Sequence, residues 1–426
     1  MGSPPQGYVA SSVIPSELWY DVRDYGAVSD PTFIVDSAPA IQAAINAALS
    51  SQTGPSPGGA VVAFPPGQFN VGSTSVITTR MDGVMLQGAG MGATNIRLMN
   101  TKNVDMFQFS QTQSSFFLGM RDLTLDGNYT NNLSSGNCVQ VTTSTGASDL
   151  IFERVFFKNA RNDGCRIGAA SYSPSFINCI SEFNQGYGLN IIPNICRIIG
   201  GKFQSDGAGC IYIQGGSVRK NTLIDSAFFL CDAATAAIAL RLNCSQTTVT
   251  GCHITNGASN TGDLVAIDGA SDLTLSGNML VGAQATGYAI NVTAAGITNL
   301  NIHDNDLIGT FHAGKINLTS IASGSIAIRH NWGYNPFGII ASPFDNVNNL
   351  IGITGNSGTL TSAKTYTCTG TPLDVAWTGG TVTAQTKNGT AIPALAAASD
   401  FIHLEPGDTY SITFSVTPTT FDVFGL

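Results

Sequence analysis

The sequence predicts a parallel β-helix, in which short strands stack coil upon coil, over most of the chain. The first observation is a run of short alternating apolar segments, broken by Asn, Gly and Asp, from Arg121 to Trp332. The second is a repeat of 24 residues, which separates Gly164 from Gly188 and Ile167 from Ile191. A repeat of this length, built on strand alternation rather than helical periodicity, indicates a solenoid of β-strands.

The third observation is that the repeat continues downstream with a period of 25 to 27 residues. The predicted inward apolar positions are Leu240, Ile267, Val292 and Leu318. The predicted corner positions are Cys252, Asn278, Asn305 and Asn331. An Asn suits a corner because its side chain can bond the backbone of the next coil and tolerates a left-handed φ. A leucine-rich repeat would need a Leu-x-x-Leu-x-Leu pattern, which is missing, and the β-branched alternation excludes helical repeats.

The N-terminal segment is predicted to close one end of the solenoid. Residues 1–18 are rich in Pro and Ser and are expected to form an arm ahead of the β-helix. Asp36 and Ser37 then cap a helix of about residues 37–50. Its predicted apolar stripe consists of Ile41, Ile45 and Leu49. Such a helix covers the apolar cross-section and the unpaired strand edges that the end of a β-helix exposes.

Four N-terminal segments resemble the opening of the pectate lyase superfamily of right-handed parallel β-helices. They are Tyr20–Ala27 (YDVRDYGA), Ala40–Ala48 (AIQAAINAA), Gly58–Gly67 (GGAVVAFPPG) and Leu86–Gly90 (LQGAG). The resemblance implies a right-handed β-helix. Because this superfamily includes phage tailspike depolymerases, hydrolases and lyases, it also implies a polysaccharide as the partner. The sequence departs from the pattern at Pro31–Asp36, where relatives often carry a second acid before the helix.

A second, smaller unit is predicted at the C terminus. The β-helix domain is expected to cover residues 19–341, followed by a linker over 342–358. Residues 359–426 contain short alternating segments separated by turns such as Asn388-Gly389, which is typical of a small β-sandwich. The apolar end, Phe421–Leu426, is expected to lie in its own sheet or in a neighbouring subunit.

The composition disfavours several partners. With a net charge of −9 and only 11% charged residues, the chain is not expected to bind nucleic acid or an anionic membrane. No apolar run reaches membrane-spanning length, and the first residues show no signal-peptide core. The resemblance implies an extracellular or virion-associated location.

The nine Cys residues are predicted to be reduced and mostly buried. Most of them, such as Cys165 and Cys210, lie in apolar strands or at coil corners, where Cys acts as a small hydrophobic residue. No Cys or His group has the spacing of a zinc site. Neither a metal nor another cofactor is therefore expected.

One sheet is predicted to carry an outward row of polar side chains. Successive side chains of a strand point to opposite faces, so the residues between inward apolar positions face solvent. The predicted row is Gln140, Arg166, Asn190, Tyr212, Arg241, Asp268, Asn291 and Asn317. Such side chains suit a glycan through stacking and through hydrogen bonds to hydroxyls. The candidate substrate-binding residues are Arg166, Asn190, Tyr212, Arg241 and Asp268.

Acids in the turns before these strands are the candidate catalytic residues: Asp163, Asp206 and Asp232. Asp206 and Asp232 lie on neighbouring coils, about 5 Å apart, which is the spacing of a retaining glycosidase. Asp163 and Asp206 lie two coils apart, about 9–10 Å, nearer the inverting geometry, and are the preferred pair. Each acid alternatively bonds its own turn, because Asp-Gly is a common turn dipeptide.

The leading functional prediction is a polysaccharide hydrolase, and a lyase is the second choice. In a lyase, Tyr212 would transfer the proton while Arg166 or Arg241 neutralised a uronate carboxylate, although the low basic content disfavours a strongly acidic polymer. A non-catalytic glycan-binding or structural fibre protein is the alternative, since fold alone does not imply an enzyme. A homotrimer is expected from the sparse charge, the apolar C terminus and the spike-like assemblies of the superfamily.

Overall fold

A computed structural model gives the fold of the chain. It describes residues 18–50, 59–77, 83–110, 115–142, 147–171, 173–204, 207–231, 237–257, 259–269, 271–284, 287–293, 297, 299–311, 314–317, 326–329, 331, 353–354, 364–368, 373–378, 381–392, 402–405, 407–416 and 420–425. The predicted fold class is confirmed, because these residues form a parallel β-solenoid of about 8 turns and, near the C terminus, antiparallel sheets. The chain divides into two compact units, residues 1–186 and 187–426.

The strands of the first unit pair in parallel from coil to coil. They are β1 (Trp19–Asp21), β2 (Ala60–Ala63), β3 (Gly67–Val71), β4 (Ser75–Ile77), β5 (Val84–Gln87), β6 (Thr94–Leu98), β7 (Phe107–Phe109), β8 (Ser115–Phe116), β9 (Gly119–Asp126), β10 (Val139–Val141), β11 (Ala147–Ser148), β12 (Ile151–Lys158), β13 (Cys165–Ser171), β14 (Ser175–Ile177) and β15 (Ile180–Glu182). Val139, for example, lies between Phe107 on the preceding coil and Cys165 on the next. All three are fully buried, as the alternation predicts.

Helix α1 (Ala38–Ser50) begins where the sequence predicts it, after Asp36 and Ser37. The Asp36 carboxylate accepts a hydrogen bond from the backbone N–H of Ala38 at 2.9 Å, as a cap residue does. The Ser37 hydroxyl instead exchanges hydrogen bonds with the backbone of Val28, at 3.1 and 3.2 Å. Ser37 therefore ties the helix to the preceding segment.

The buried face of α1 differs from the predicted stripe, because alanine supplies much of it. Ile41 and Ile45 are fully buried, but Leu49 is only half-buried, and Ala44 and Ala48 complete the face. Small side chains allow the helix to pack closely against β1, β2 and β4. Of the helices in the described residues, none is long and apolar enough to cross a membrane.

The coils of the second unit repeat the same parallel pairing. Their strands are β16 (Tyr187–Pro193), β17 (Ile195–Ile199), β18 (Lys202–Gln204), β19 (Gly209–Asp225), β20 (Phe228–Cys231), β21 (Ile238–Thr250), β22 (His253–Asn256), β23 (Val265–Ile267), β24 (Leu273–Ser276), β25 (Met279–Gln284), β26 (Tyr288–Val292), β27 (Leu300–His303), β28 (Asp306–Phe311), β29 (Gly314–Asn317) and β30 (Ile326–Arg329).

The predicted alignment of Leu240 with Ile267 is wrong by two residues. Leu240 pairs with Val265, whereas Ile267 pairs with Leu242 and with Val292 on the following coil. A shift of two keeps every one of these side chains on the buried face, because the side-chain period of a strand is two. Leu318, the last predicted inward residue, lies outside the described residues.

A ladder of buried asparagines joins the coils at one corner, and Asn278, Asn305 and Asn331 are named the corner ladder. The side-chain oxygen of Asn305 accepts from the backbone and side-chain nitrogens of Asn278, at 3.0 and 2.9 Å. Asn331 binds Asn305 in the same way, at 3.1 and 2.9 Å. The Asn305 amide also donates to the carbonyl of Leu275 at 2.9 Å. The predicted coil-to-coil bond is thus present.

The left-handed backbone lies one residue earlier than the sequence predicts. Gly277 and Asp304, which precede Asn278 and Asn305, have φ of 63° and 55°. The corner therefore separates two tasks, since one residue turns the chain and the next supplies the hydrogen bonds. Asn278 and Asn305 are at most 2% exposed, so their amides satisfy polar groups that water does not reach.

Eight cysteines are free and buried in the described residues, as predicted. They are Cys138, Cys165, Cys179, Cys196, Cys210, Cys231, Cys244 and Cys252. Burial raises the pKa of the Cys179 thiol to about 12 and that of the Cys252 thiol to about 11. Both thiols therefore stay protonated at neutral pH, where only the thiolate is a strong nucleophile.

The C-terminal strands form two antiparallel sheets. They are β31 (Ile353–Thr354), β32 (Lys364–Cys368), β33 (Leu373–Thr378), β34 (Thr381–Lys387), β35 (Thr390–Ala391), β36 (Ile402–Leu404), β37 (Thr409–Val416) and β38 (Thr420–Gly425). One sheet has the order β31-β32-β37-β34-β35 and the other β36-β33-β38. The apolar C-terminal segment, as β38, pairs with β33 of its own chain. Strand β31 lies within residues 342–358, the range predicted as a linker.

The corner ladder predicts a specific loss of stability. Asn305→Ala removes bonds to Asn278, Asn331 and Leu275 and leaves buried polar groups unpaired, so we expect a loss of about 3 kcal/mol. Urea unfolding followed by circular dichroism measures it. The control is Thr274→Ala on β24, a half-buried outward residue, for which we expect a change below about 0.5 kcal/mol. Equal stability of the two variants would contradict a stabilising ladder.

Candidate functional site

Four polar and aromatic side chains meet on the outward face of the second unit. They are Tyr187 on β16, Tyr212 on β19, Arg241 on β21 and Asp268, the residue after β23; together they are named the Arg241 cluster. The register explains the meeting, because Tyr212 lies directly opposite Arg241. Neighbouring strands of a sheet are about 4.8 Å apart, so side chains on the same face of adjacent coils touch.

The predicted outward row is correct from Asn190 through Arg241 but wrong at Asp268. Arg241 pairs with Ala266, which is 2% exposed, and Ala266 pairs with Asn291. Asp268 lies two residues after Ala266 in the chain, and its carboxylate forms an ion pair with Arg241 on the neighbouring strand β21. The site therefore contains the predicted residue, although not at the predicted position in the sheet.

Arg241 is held by three neighbours. Its Nε atom forms an ion pair with Asp268, and its Nη1 atom lies 3.4 Å from the Tyr187 hydroxyl. The guanidinium also lies over the Tyr212 ring, 4.8 Å from the centroid, in a cation–π contact. The hydrogen bonds to Tyr187 and Asp268 raise the pKa of Arg241 further above its ordinary value, so this residue is always charged.

The cluster remains open to solvent on one side. The Arg241 and Asp268 side chains are 36% and 18% exposed. The second oxygen of the Asp268 carboxylate accepts from the Thr293 hydroxyl at 2.8 Å, which fixes its orientation. The Tyr187 and Tyr212 rings lie 5.2 Å apart at 43°, and together they offer an aromatic surface beside the ion pair. In the described residues the Tyr212 hydroxyl has no hydrogen-bond partner.

Tyr187 was not predicted as a site residue, and Gly209 is what brings it there. Tyr187 pairs with Gly209 on the next coil, and a Cβ atom on Gly209 would lie 2.9 Å from the Tyr187 ring and 2.0 Å from the Ile238 carbonyl oxygen. Gly209 also has φ of 153°, which side chains disfavour. The missing side chain lets the Tyr187 ring lie across β19 and reach Arg241. The signal in the sequence for this contact is a glycine opposite an aromatic residue.

Amides on both sides extend the polar face. Asn190, a predicted binding residue, is 9% exposed and accepts a hydrogen bond from the Gln214 amide. Asn291 donates to Asp263 at 2.7 Å and accepts from Asn317 at 2.8 Å. These side chains hold one another, and so present amides in fixed orientations along the strands.

The predicted catalytic residue Asp163 belongs to a structural series in the first unit, Asp105, Asn137 and Asp163, which is named the turn ladder. The Asp105 carboxylate accepts from the backbone N–H of Asn137 at 2.8 Å. The Asn137 side chain accepts in turn from the backbone N–H of Asp163 at 2.9 Å. Asp163 is 5% exposed, and its carboxylate lies against the backbone of Gly186.

Asp263 shows the same bonding in the second unit, where its carboxylate accepts from the backbone N–H of Tyr288 at 2.8 Å. An acid in this turn therefore bonds the backbone of the next coil. This contact accounts for the recurrence of Asp at that position without reference to catalysis. The catalytic role of Asp163 stays a prediction.

The remaining predicted residues lie elsewhere. Asp206 and Asp232 fall outside the described residues. Arg166 lies on β13 of the first unit, where it is exposed and pairs with Gln140. Within the described part of the chain, no group of three or more His, Cys, Asp or Glu side chains could hold a metal ion.

The N-terminal part of the chain matches a known family. Residues 19–195 match the family model described as rhamnogalacturonase A/epimerase, pectate lyase-like. Over 122 residues the chain is 41% identical to the mannuronan C5-epimerase AlgE6 of Azotobacter vinelandii, covering 26% of this chain and 13% of that protein. It is 33% identical over 120 residues to Alginate lyase 7 of the same organism, again covering 26% and 13%. The chain thus spans only a small part of these relatives.

Solved structures show the same fold at low identity. The A-module of the Azotobacter vinelandii epimerase AlgE4 gives a TM-score of 0.50 at 21% identity, covering 72% of this chain and all of that chain. The ORF18 protein of Geobacillus virus E2 gives 0.58 at 18% identity, covering 95% and 76%. The enzymatically active domain of tailspike protein 2 from bacteriophage CBA120 gives 0.53 at 10% identity, covering 95% and 69%.

The close approach at Gly209 predicts that this position does not accept a side chain. Gly209→Ala would place a Cβ 2.0 Å from a backbone oxygen, so we expect a loss of about 2 kcal/mol or more in the free energy of unfolding. The matched control is Gly92→Ala, where no atom lies within 4 Å and the change should stay below about 0.5 kcal/mol. Urea denaturation measures both. A Gly209→Ala protein as stable as the Gly92→Ala protein would contradict this packing.

Proposed function

The chain is a pectate lyase-like parallel β-helix protein, and from this premise we propose that it binds a polysaccharide at the Arg241 cluster and cleaves it. The observation that carries the proposal is the pair of tyrosine rings beside a partly exposed Arg–Asp ion pair. The apolar face of a sugar ring packs on an aromatic ring, while its hydroxyls both donate and accept hydrogen bonds. Relatives named as epimerases, lyases and tailspikes support a polysaccharide as the partner.

A row of outward side chains suits a polymer better than a single sugar. Asn190, Tyr212 and Arg241 occupy the same position on successive strands, and Asn291 continues the row beyond Ala266. A chain of sugars lying across the strands would meet one such side chain about every 4.8 Å. Several weak contacts along a polymer would then add up to useful affinity.

Hydrolysis is the reaction that we place first. It requires one carboxylic acid to protonate the leaving oxygen and one carboxylate to act as base or nucleophile. Asp163, Asp206 and Asp232 are the proposed residues, as the sequence predicts. Asn137 occupies the turn-ladder position before Asp163, which supports Asn as a tolerated replacement for Asp163 in the fold.

Elimination by a lyase is the second proposal. It would use Tyr212 to transfer the proton from C5 of a uronate and Arg241 to neutralise the carboxylate. The contact of Arg241 with the Tyr212 ring favours this pair, because both groups would face one sugar. The two reactions give different products, since elimination alone leaves an unsaturated sugar that absorbs in the ultraviolet.

The assembly and location remain proposals as well. We propose a homotrimer that is extracellular or virion-associated, which the likeness to tailspike folds supports. The pairing of β38 with β33 gives the apolar C terminus a place in its own chain, so the C terminus no longer argues for subunit contacts. A non-catalytic glycan-binding fibre is the alternative. It would bind polysaccharide and release no product.

Removal of the Tyr212 ring should weaken polysaccharide binding without unfolding the protein. Tyr212→Ala deletes a stacking surface and a contact of Arg241, so we expect affinity to fall about tenfold while the melting temperature changes by less than about 3 °C. A polysaccharide microarray followed by calorimetry measures both. The control is Met279→Ala on β25, a 40% exposed side chain on a strand that pairs with β22 and β28 rather than with the strands of the cluster, which should leave affinity unchanged. Lower stability with unchanged affinity would make Tyr212 a packing residue.

Replacement of Asp163 by Asn separates its two possible roles. Asn keeps the hydrogen-bond acceptor, so stability should stay within about 0.5 kcal/mol. If Asp163 takes part in hydrolysis, release of reducing sugar should fall about a hundredfold or more. Asp105→Asn, in the same turn ladder, is the matched control and should keep full activity. Full activity of Asp163→Asn would remove Asp163 from the reaction and leave it in the ladder.

A further inference from the structure

The charges on the outward face around the Arg241 cluster are few, and they cancel. The described row through the cluster consists of Asn190, Tyr212, Arg241, Ala266, Asn291 and Asn317, and of these only Arg241 is charged. A second row lies two residues further along the strands. It contains Gln214, Asn243, Asp268 and Thr293, and of these only Asp268 is charged. Arg241 and Asp268 form an ion pair. Together the two rows therefore carry no net charge.

The other flank carries one acid and one cation. Asp263 lies just before β23, and its two carboxylate oxygens accept from the Tyr288 backbone and the Asn291 amide. Neither partner is a cation, so the charge of Asp263 is stabilised by hydrogen bonds but not cancelled. Lys315 on β29, two residues before Asn317, adds a positive charge on this flank, and its ammonium group donates to the Leu307 carbonyl at 3.0 Å. The described residues around the cluster thus sum to about zero, in a chain whose net charge is −9. An anionic ligand would find no net positive charge here and would meet repulsion at long range.

From these charges we infer, on the basis of the proposed function, that the ligand is a neutral polysaccharide and that Asp268 sets this preference. A sugar hydroxyl donates and accepts at once, so it matches an ion pair that presents an N–H donor beside a carboxylate acceptor. A uronate carboxylate only accepts. To reach Arg241 it must lie beside Asp268, whose repulsion cancels an attraction to Arg241 that would otherwise strengthen binding about fivefold at 4 Å in water.

A neutral ligand also distinguishes the two proposed reactions. Elimination removes the proton from C5, breaks the C4–O bond and forms a C4–C5 double bond, and it needs a carboxyl group on C5 to acidify that proton. A neutral hexose carries a hydroxymethyl group there instead. Hydrolysis makes no such demand, because water adds across the glycosidic bond while acid and base exchange protons. The charge pattern therefore favours hydrolysis over elimination at this site.

The test compares each neutral glycan with its own oxidised form. Oligosaccharides of mannan, galactan and glucan, and the same oligosaccharides oxidised at C6 to the carboxylate, are titrated against the full chain by calorimetry. The wild-type protein should bind at least one neutral series, and C6 oxidation should weaken that binding about tenfold at low salt. The difference should shrink as the salt concentration rises, since salt screens the repulsion.

Asp268→Asn identifies the residue that sets the preference. It removes one negative charge at nearly constant size and leaves Arg241 uncompensated, so the carboxylated oligosaccharide should bind about tenfold more tightly than it does to the wild type. The matched control is Asp272→Asn. Asp272 is exposed at a coil corner outside these rows, where it accepts a hydrogen bond from Asn299. Its variant should therefore keep the wild-type ratio of the affinities for the neutral and the carboxylated oligosaccharide.

Three results would overturn the inference in different ways. Tighter binding of a carboxylated series by the wild type would reject the neutral ligand and leave the proposed function intact. If Asp268→Asn kept the wild-type ratio of the affinities for the neutral and the carboxylated oligosaccharide, Asp268 would be rejected as the residue that sets the preference. Binding of neither series would reject the proposed function and the inference together.

Discussion

Each coil must satisfy the hydrogen bonds of the next, and this constraint organises the whole molecule. A parallel strand pair satisfies the backbone along the strands but leaves polar groups at the corners, where the chain turns and water is excluded. The corner ladder of Asn278, Asn305 and Asn331 supplies those bonds in the second unit, and the turn ladder of Asp105, Asn137 and Asp163 supplies them in the first. Short polar side chains serve this purpose because they reach from one coil to the next.

The same constraint separates structural from functional polar residues. Side chains in the turns point at backbone N–H groups of the next coil, as Asp263 does at Tyr288. Side chains between inward apolar residues of a strand point at solvent, as Tyr212 and Arg241 do, and they are available to a ligand. Function on a β-helix therefore depends on the outward rows. Acids in the turns primarily stabilise the fold, because they bind the backbone of the next coil.

The sequence predicts the fold well and the site only in part. The alternation of buried and outward residues, helix α1 and the corner asparagines all follow from local pattern, because every coil repeats the same requirements. Register does not follow, since a shift of two residues keeps the pattern intact. The sequence therefore predicts Asp268 in the row position that Ala266 occupies. The sequence does not predict Tyr187 in the site, because its ring position depends on the missing side chain of Gly209 on the next coil. A pattern of buried and outward residues within one coil does not contain that information.

The central claim is that the Arg241 cluster is the surface on which a polysaccharide binds. The most direct measurement is a crystal structure of the full chain with an oligosaccharide that binds it. The expected result is a sugar ring stacked on Tyr212 or Tyr187, with hydroxyls hydrogen-bonded to Arg241 and Asp268. An oligosaccharide held on another face, with the Arg241–Asp268 pair untouched, would contradict the claim and move the site elsewhere on the protein.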